Sequence, residues 1–280
     1  MVNLSLFWAR LALSLYTFGL ATAWITLAVR RETLFRLARG AVALGFCFHF
    51  VSLVEMAVAA GRFPITQYSE ASSLLAFLIV AVFLAAYRFY SPPSLAVVVF
   101  PLVFALTLTS IYGNGGVARV GVGANAAVAG NPWIYWHAAL IFLGYAALVA
   151  AFAGEILYLF AERRLRHRPP RPGPSRWLPP LETMDRWSYR ALLIGFPLLT
   201  AGLGIGLYWA NATWGTLDLS DPKIALTLLA WVIYLVLLFT RWSGGWRGRR
   251  AAYATVACFV LAAAGWLTGN ASGLHHFISR

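Results

Sequence analysis

Charge is scarce in this chain, and lysine is all but missing. Of 280 residues only 11% are charged, nine are acidic, and Lys223 is the single lysine. So little hydrophilic side chain excludes a soluble domain of this size, because too few polar groups remain to face water. Cysteine is nearly absent too. Cys47 and Cys258 form no CxxC and no metal-type spacing, which excludes a disulfide framework and a thiolate metal site. Each lies in a hydrophobic run and reads as a small buried packing residue. Ten-residue segments of alternating polarity are also missing, which excludes a membrane β-barrel. The opening MVNLSLFWARLALSL has no basic n-region and no small-residue cleavage site, so it reads as a first span and not as a removed signal peptide.

What is present is apolar length. Hydrophobic residues make up 61% of the chain. Eight segments, roughly 7–28, 41–60, 70–88, 94–112, 133–160, 188–210, 223–240 and 250–268, reach the ~20 residues that a membrane helix needs. Helices satisfy their own backbone hydrogen bonds in lipid. The expected fold is therefore all-α: a polytopic integral membrane protein, one bundle of about eight transmembrane helices over 1–280.

The net charge of +13 is distributed unevenly. Seventeen of the 22 basic residues fall on one side of such a topology and five on the other. The positive-inside rule then places both termini outside the cytoplasm. A nucleic-acid partner is excluded, since no folded basic module is present. The basic stretch 161–187, containing RRLRHRPPRPGPSRWLPP, is too proline-rich for a helix and reads as a cytoplasmic anchor against anionic lipid. His167 within it reads as solvated. The Gly/Ala-rich loop 113–132 is either a cover for an external site or an unconstrained linker.

The external loop 209–223, WANATWGTLDLSDPK, is the polar exception. Histidines flank it in the topology. His137 lies in the first external turn of the fifth span, beside Trp133 and Trp136, and His275 and His276 follow the last span. Two neutral imidazoles on opposite sides of a flat cofactor suit haem iron. Taken singly, each histidine also fits an interfacial polar tip or a helix-to-helix hydrogen bond. His49 lies near the middle of the second span, where an ionisable residue is costly and by default functional. Glu55, on another face from His49 and seven residues before Arg62, reads as the partner of Arg62 in an interfacial ion pair.

These segments resemble the cytochrome c assembly family of membrane haem-handling proteins, CcsA (ResC) and its relatives, with CcmC more distant. The resemblance spans about 40–280. WANATWG and DPK match the two ends of that family's tryptophan-rich external loop, through Trp209, Trp214, Gly215, Asp221, Pro222 and Lys223. WHAALIFLGYAAL resembles the segment with the first external histidine, at His137, and GLHHF the segment with the second, at His275 with His276 beside it. GFCFHFVSL and PITQYSEASSLLAF, with His49, Tyr68 and Glu70, resemble its second and third spans. The chain departs from the pattern in the loop's middle. Leu217, Asp218 and Ser220 stand where the family has aromatics, Ile224 and Leu226 replace an acid and a tryptophan, and Phe239 replaces a histidine before TR. Each lost ring removes roughly 0.5–1.5 kcal/mol of aromatic contact beyond area burial.

The resemblance implies a transiently held b-type haem, with His137 and His275 as axial ligands and His276, Trp209, Trp214, Asp221, Lys223 and His49 as further binding residues. It implies presentation of haem on the periplasmic face of a bacterial-type cytoplasmic membrane, to an apocytochrome c and with an assembly partner. The chain would orient the haem, and the thioether chemistry belongs to haem and partner. The alternative is a HemX-like (HemX/YpjD branch) regulator or scaffold of tetrapyrrole synthesis without obligatory haem ligation. A small-solute transporter is disfavoured, because no pair of interrupted spans or inverted repeat is evident.

Overall fold

A computed structural model of the chain describes residues 2–29, 31–65, 67–90, 94–112, 132–167, 179–214 and 222–271. Among these residues there are eight α-helices and no strand: α1 (Val2–Val29), α2 (Glu32–Ala60), α3 (Tyr68–Tyr90), α4 (Leu95–Tyr112), α5 (Pro132–His167), α6 (Leu181–Trp214), α7 (Pro222–Ser243) and α8 (Arg249–Ala271). All eight are long and apolar enough to cross a membrane, so the expected all-helical, multi-pass architecture holds. Pro101 and Pro197 lie inside α4 and α6, as membrane helices tolerate.

Several helices outrun the apolar segments that announce them. α5 continues to His167 and α6 begins at Leu181, so 161–167 and 181–187 are helical where the sequence reading has loop. The prolines that break helices cluster between these ends. At the ends themselves, Arg166 bonds Glu162 and Arg186 bonds Glu182, each pair spaced i,i+4 and supporting a solvated helical turn.

The helices form two compact units, α1–α4 and α5–α8. In the first unit, close packing is set at Gly45, where a Cβ would stand 2.9 Å from the Tyr16 ring. Trp8 stacks on Phe48 and Phe46 on Phe77, with ring centroids 5.4 and 4.3 Å apart. Cys47 is exposed, against the expectation that both cysteines are buried, while Cys258 is buried. Position 47 lies on the outward face of α2, two residues before the inward-facing His49.

The Glu55–Arg62 pair is replaced by another. α2 stops at Gly61, which takes the left-handed conformation (φ 62°) and whose N–H caps the Val58 carbonyl. The helical register therefore ends before Arg62, and seven-residue spacing no longer places it over Glu55. Arg62 instead makes a two-pronged bond to Glu70, 3.0 Å on each prong, at the start of α3.

In the second unit, α5 and α6 meet along glycines. A Cβ on Gly144 would stand 2.6 Å from Leu199 Cγ, one on Gly195 3.0 Å from Ala147 Cβ, and one on Gly202 2.9 Å from Ile141 Cγ1. Such small residues let membrane helices approach backbone to backbone. The Trp187 indole N–H and the Ser188 hydroxyl donate to the Ala150 and Ala151 carbonyls at 3.2 and 3.0 Å. α6 meets α7 where Trp231 donates to Thr200 at 2.9 Å. α8 lies antiparallel to α5, with Phe259 stacked on Phe152 and Trp266 edge-on to Phe142 and Tyr145.

Candidate functional site

The α5–α6 seam ends at His137. The imidazole Nδ1 lies 2.7 Å from the Gly202 carbonyl oxygen. A carbonyl can only accept, so Nδ1 carries a proton and donates it to Gly202. This is the arrangement that fixes the tautomer and orientation of a ligating histidine. The seat is made by absence of side chain. A Cβ on Gly206 would stand 2.6 Å from both Cε1 and Nδ1 of His137, so only glycine lets α6 pass this ring. Gly204, between the two, faces open space.

Aromatic residues are frequent on α5 and α6 at this end of the seam. Trp209 continues the stripe of Gly202 and Gly206 by one turn and is half-buried. Trp133 lies one turn before His137 on α5, and Trp133, Trp136 and Tyr208 are exposed. A half-buried imidazole beside exposed rings is a chemically sensible place to hold a flat, apolar group with a metal at its centre.

The other anticipated ligands divide into three groups. Trp214 and Lys223 lie at the helix ends that bracket the loop, at the close of α6 and the start of α7, but their side chains are outside the described residues. Asp221, His275 and His276 lie wholly outside them. The last described residue, Ala271, ends a helix whose Trp266 faces Phe142 and Tyr145. Counted on antiparallel, α8 therefore stops at about the level of His137. His49 belongs to the first unit. It is fully buried, with Nδ1 3.2 Å from the Tyr16 hydroxyl and Nε2 2.8 Å from the Ser73 hydroxyl. Both ring nitrogens are thus engaged in a bridge across α1, α2 and α3.

A second polar centre joins α5, α6 and α7. Arg241 of α7 bonds Glu155 of α5 at 3.0 Å and also pairs with Asp185 of α6, whose carboxylate accepts the Gly248 N–H at 3.4 Å. The guanidinium sits over the Tyr189 ring, 5.1 Å from its centroid. The signal was Glu155 itself, an acid inside an apolar run, which in lipid must find a partner. Gly202 and Gly206 were legible as GLGIG, but their function depends on which residue faces them.

The sequence was compared with known proteins. The family model described as "Cytochrome C assembly protein" matches residues 65–275, well over half of the chain. A cytochrome c biogenesis protein CcsA of Guillardia theta is 33% identical over 163 residues, 52% of this chain and 54% of that protein. The CcsA of Prochlorococcus marinus (strain MIT 9312) is 29% identical over 237 residues, 78% of this chain and 76% of the relative. That of Microcystis aeruginosa is 27% identical over 263 residues, covering 78% and 80%. Among solved structures, a cytochrome c haem lyase, CcmF, shares the fold with a TM-score of 0.66 and 18% identity, covering 99% of this chain and 51% of that one. The chain thus spans about half the length of the Guillardia relative and of the lyase. By the extent of the family match, this chain belongs to the cytochrome c assembly proteins.

Proposed function

We propose that this chain holds haem as cargo at the His137 end of the α5–α8 unit and presents it for cytochrome c assembly. The observation that carries the reading is the 2.7 Å bond from His137 Nδ1 to the Gly202 carbonyl, which fixes the imidazole at an aromatic-rich helix end. Family membership supports the role. The relatives described above are CcsA proteins, which favours this reading over a HemX-like regulator.

In this reading His137 and His275, which follows the end of α8 by four residues in the sequence, would hold the haem iron, with His276 adjacent. By residue type, Trp209 and Trp214 would offer stacking surface to the haem, and Asp221 and Lys223 polar groups. Lys223 is suited to a propionate by charge. His49 acts as an interhelical tie and not as a ligand. When bound, haem supplies the vinyl groups that become thioethers, and the thiols come from the acceptor protein. This chain's residues bind, orient and shield. The positive-inside asymmetry favours the periplasmic side for this end, in a bacterial-type cytoplasmic membrane.

The test is an absorption spectrum of the purified full-length protein with added haem. His137→Gly is expected to lose the Soret signature of histidine ligation and to regain it with exogenous imidazole. A His137→Gly/His275→Gly double variant that binds haem with an unchanged spectrum refutes the assignment.

A further inference from the structure

At the end of the second unit opposite His137, α5 and α8 bring arginines together around Glu162. Arg249, the first residue of α8, donates to the Tyr253 hydroxyl at 3.3 Å and lies over its ring, 5.5 Å from the centroid. Arg163 of α5 is exposed at the same end of the helix pair, next to Glu162 in the chain. Arg166 bonds Glu162 at 2.7 and 3.1 Å, and Arg249 lies 4.0 Å from the same carboxylate. One glutamate therefore serves arginines from two helices, and the cluster keeps an excess of positive charge.

The helix geometry sharpens that excess. α8 begins Arg249–Arg250 and has no acidic residue in its first turn. The N-terminus of a helix carries a partial positive charge, which favours an anion and disfavours these cations. A phosphate between Arg163 and Arg249 would offset both. Tyr253 accepts from Arg249 and keeps its own O–H proton to donate.

The surroundings select the source of that phosphate. Tyr253, Val260 and Leu267 repeat every seven residues on one face of α8, and Val260 and Leu267 are 57% and 60% exposed. On α5, Phe160 is 61% exposed and stands one turn before Arg163. On membrane-spanning helices such faces are covered by acyl chains. We propose that this end of the α5–α8 pair binds the headgroup phosphate of an anionic phospholipid, with Arg163, Arg249 and Tyr253 as its contacts and the Val260–Leu267 stripe as the track of an acyl chain. The site does not depend on haem binding.

The experiment uses the full chain in phosphatidylcholine nanodiscs containing a minority of phosphatidylglycerol, with retained phosphatidylglycerol counted by native mass spectrometry. Wild type retains it, and Arg163→Ala/Arg249→Ala retains it about tenfold more weakly. Glu162→Gln removes the internal counter-charge and retains it more tightly, a change of sign that loss of folding cannot produce. Equal retention by wild type and the double variant overturns the proposal, as does a Glu162→Gln variant that binds no more tightly. Full displacement by millimolar inorganic phosphate also overturns it, by showing a site for a free anion.

Discussion

Replacing Gly206 by alanine puts a methyl group where the His137 ring now lies, 2.6 Å from both Cε1 and Nδ1. Real Cβ atoms do not approach that closely, so either the ring turns or α6 moves. If the ring turns, the bond from Nδ1 to the Gly202 carbonyl is lost, at about 0.5–1.5 kcal/mol. If α6 moves, the seam is overpacked, at about 1–3 kcal/mol. Alanine in a helix recovers up to about 1 kcal/mol over glycine. The net expectation is a destabilisation of at most about 2 kcal/mol, together with a change in haem spectrum, because the ring loses the acceptor that orients it. Gly204→Ala is the internal control. It makes the same chemical change in the same helix, but its Cβ meets nothing within 4 Å. It should leave the spectrum intact and stability equal or higher. The assay is thermal unfolding in detergent followed by tryptophan fluorescence, with absorption of the haem-loaded protein in parallel. If Gly206→Ala and Gly204→Ala behave alike in both measurements, the seat of His137 is not set by the glycine.

Three further outcomes are expected. Arg241→Ala removes the cation from Glu155, whose side chain is fully buried, and should cost about 3–5 kcal/mol in unfolding by denaturing detergent. Glu70→Gln strips the carboxylate from Arg62, whose side chain is 8% exposed, and should destabilise the first unit by a similar order, about 3 kcal/mol, read by protease resistance of α2 and α3. His49→Phe leaves the Tyr16 and Ser73 hydroxyls without their shared partner and should cost about 2–4 kcal/mol, while the haem spectrum stays unchanged. A spectral change in that last variant would return His49 to the ligand set.

The spans were legible because lipid imposes one rule: a run of apolar residues must be a helix. Helix ends were not, since Glu162–Arg166 and Glu182–Arg186 sustain helix outside the apolar run by local pairing that hydropathy does not register. Arg62 shows a second limit. Its periodic partner was Glu55, but Gly61 ends the helix one residue earlier and sends the guanidinium to Glu70 on the next helix. His137 could be named from its place at an external turn beside tryptophans. Its acceptor could not, because a backbone carbonyl leaves no trace in the residue type. Arg241, Glu155 and Asp185 come from three helices 30 and 56 residues apart in sequence, and only folding makes them one group.

The carbonyl that orients His137 has an evolutionary consequence. No substitution at position 202 can delete that acceptor, because every residue carries the same backbone oxygen. What variation can erode is access: a larger residue at 202 or 206 displaces the His137 ring or pushes the two helices apart. The orientation of the imidazole is therefore inherited through two empty spaces and not through a conserved polar partner, and a search of related chains for such a partner would look for the wrong thing.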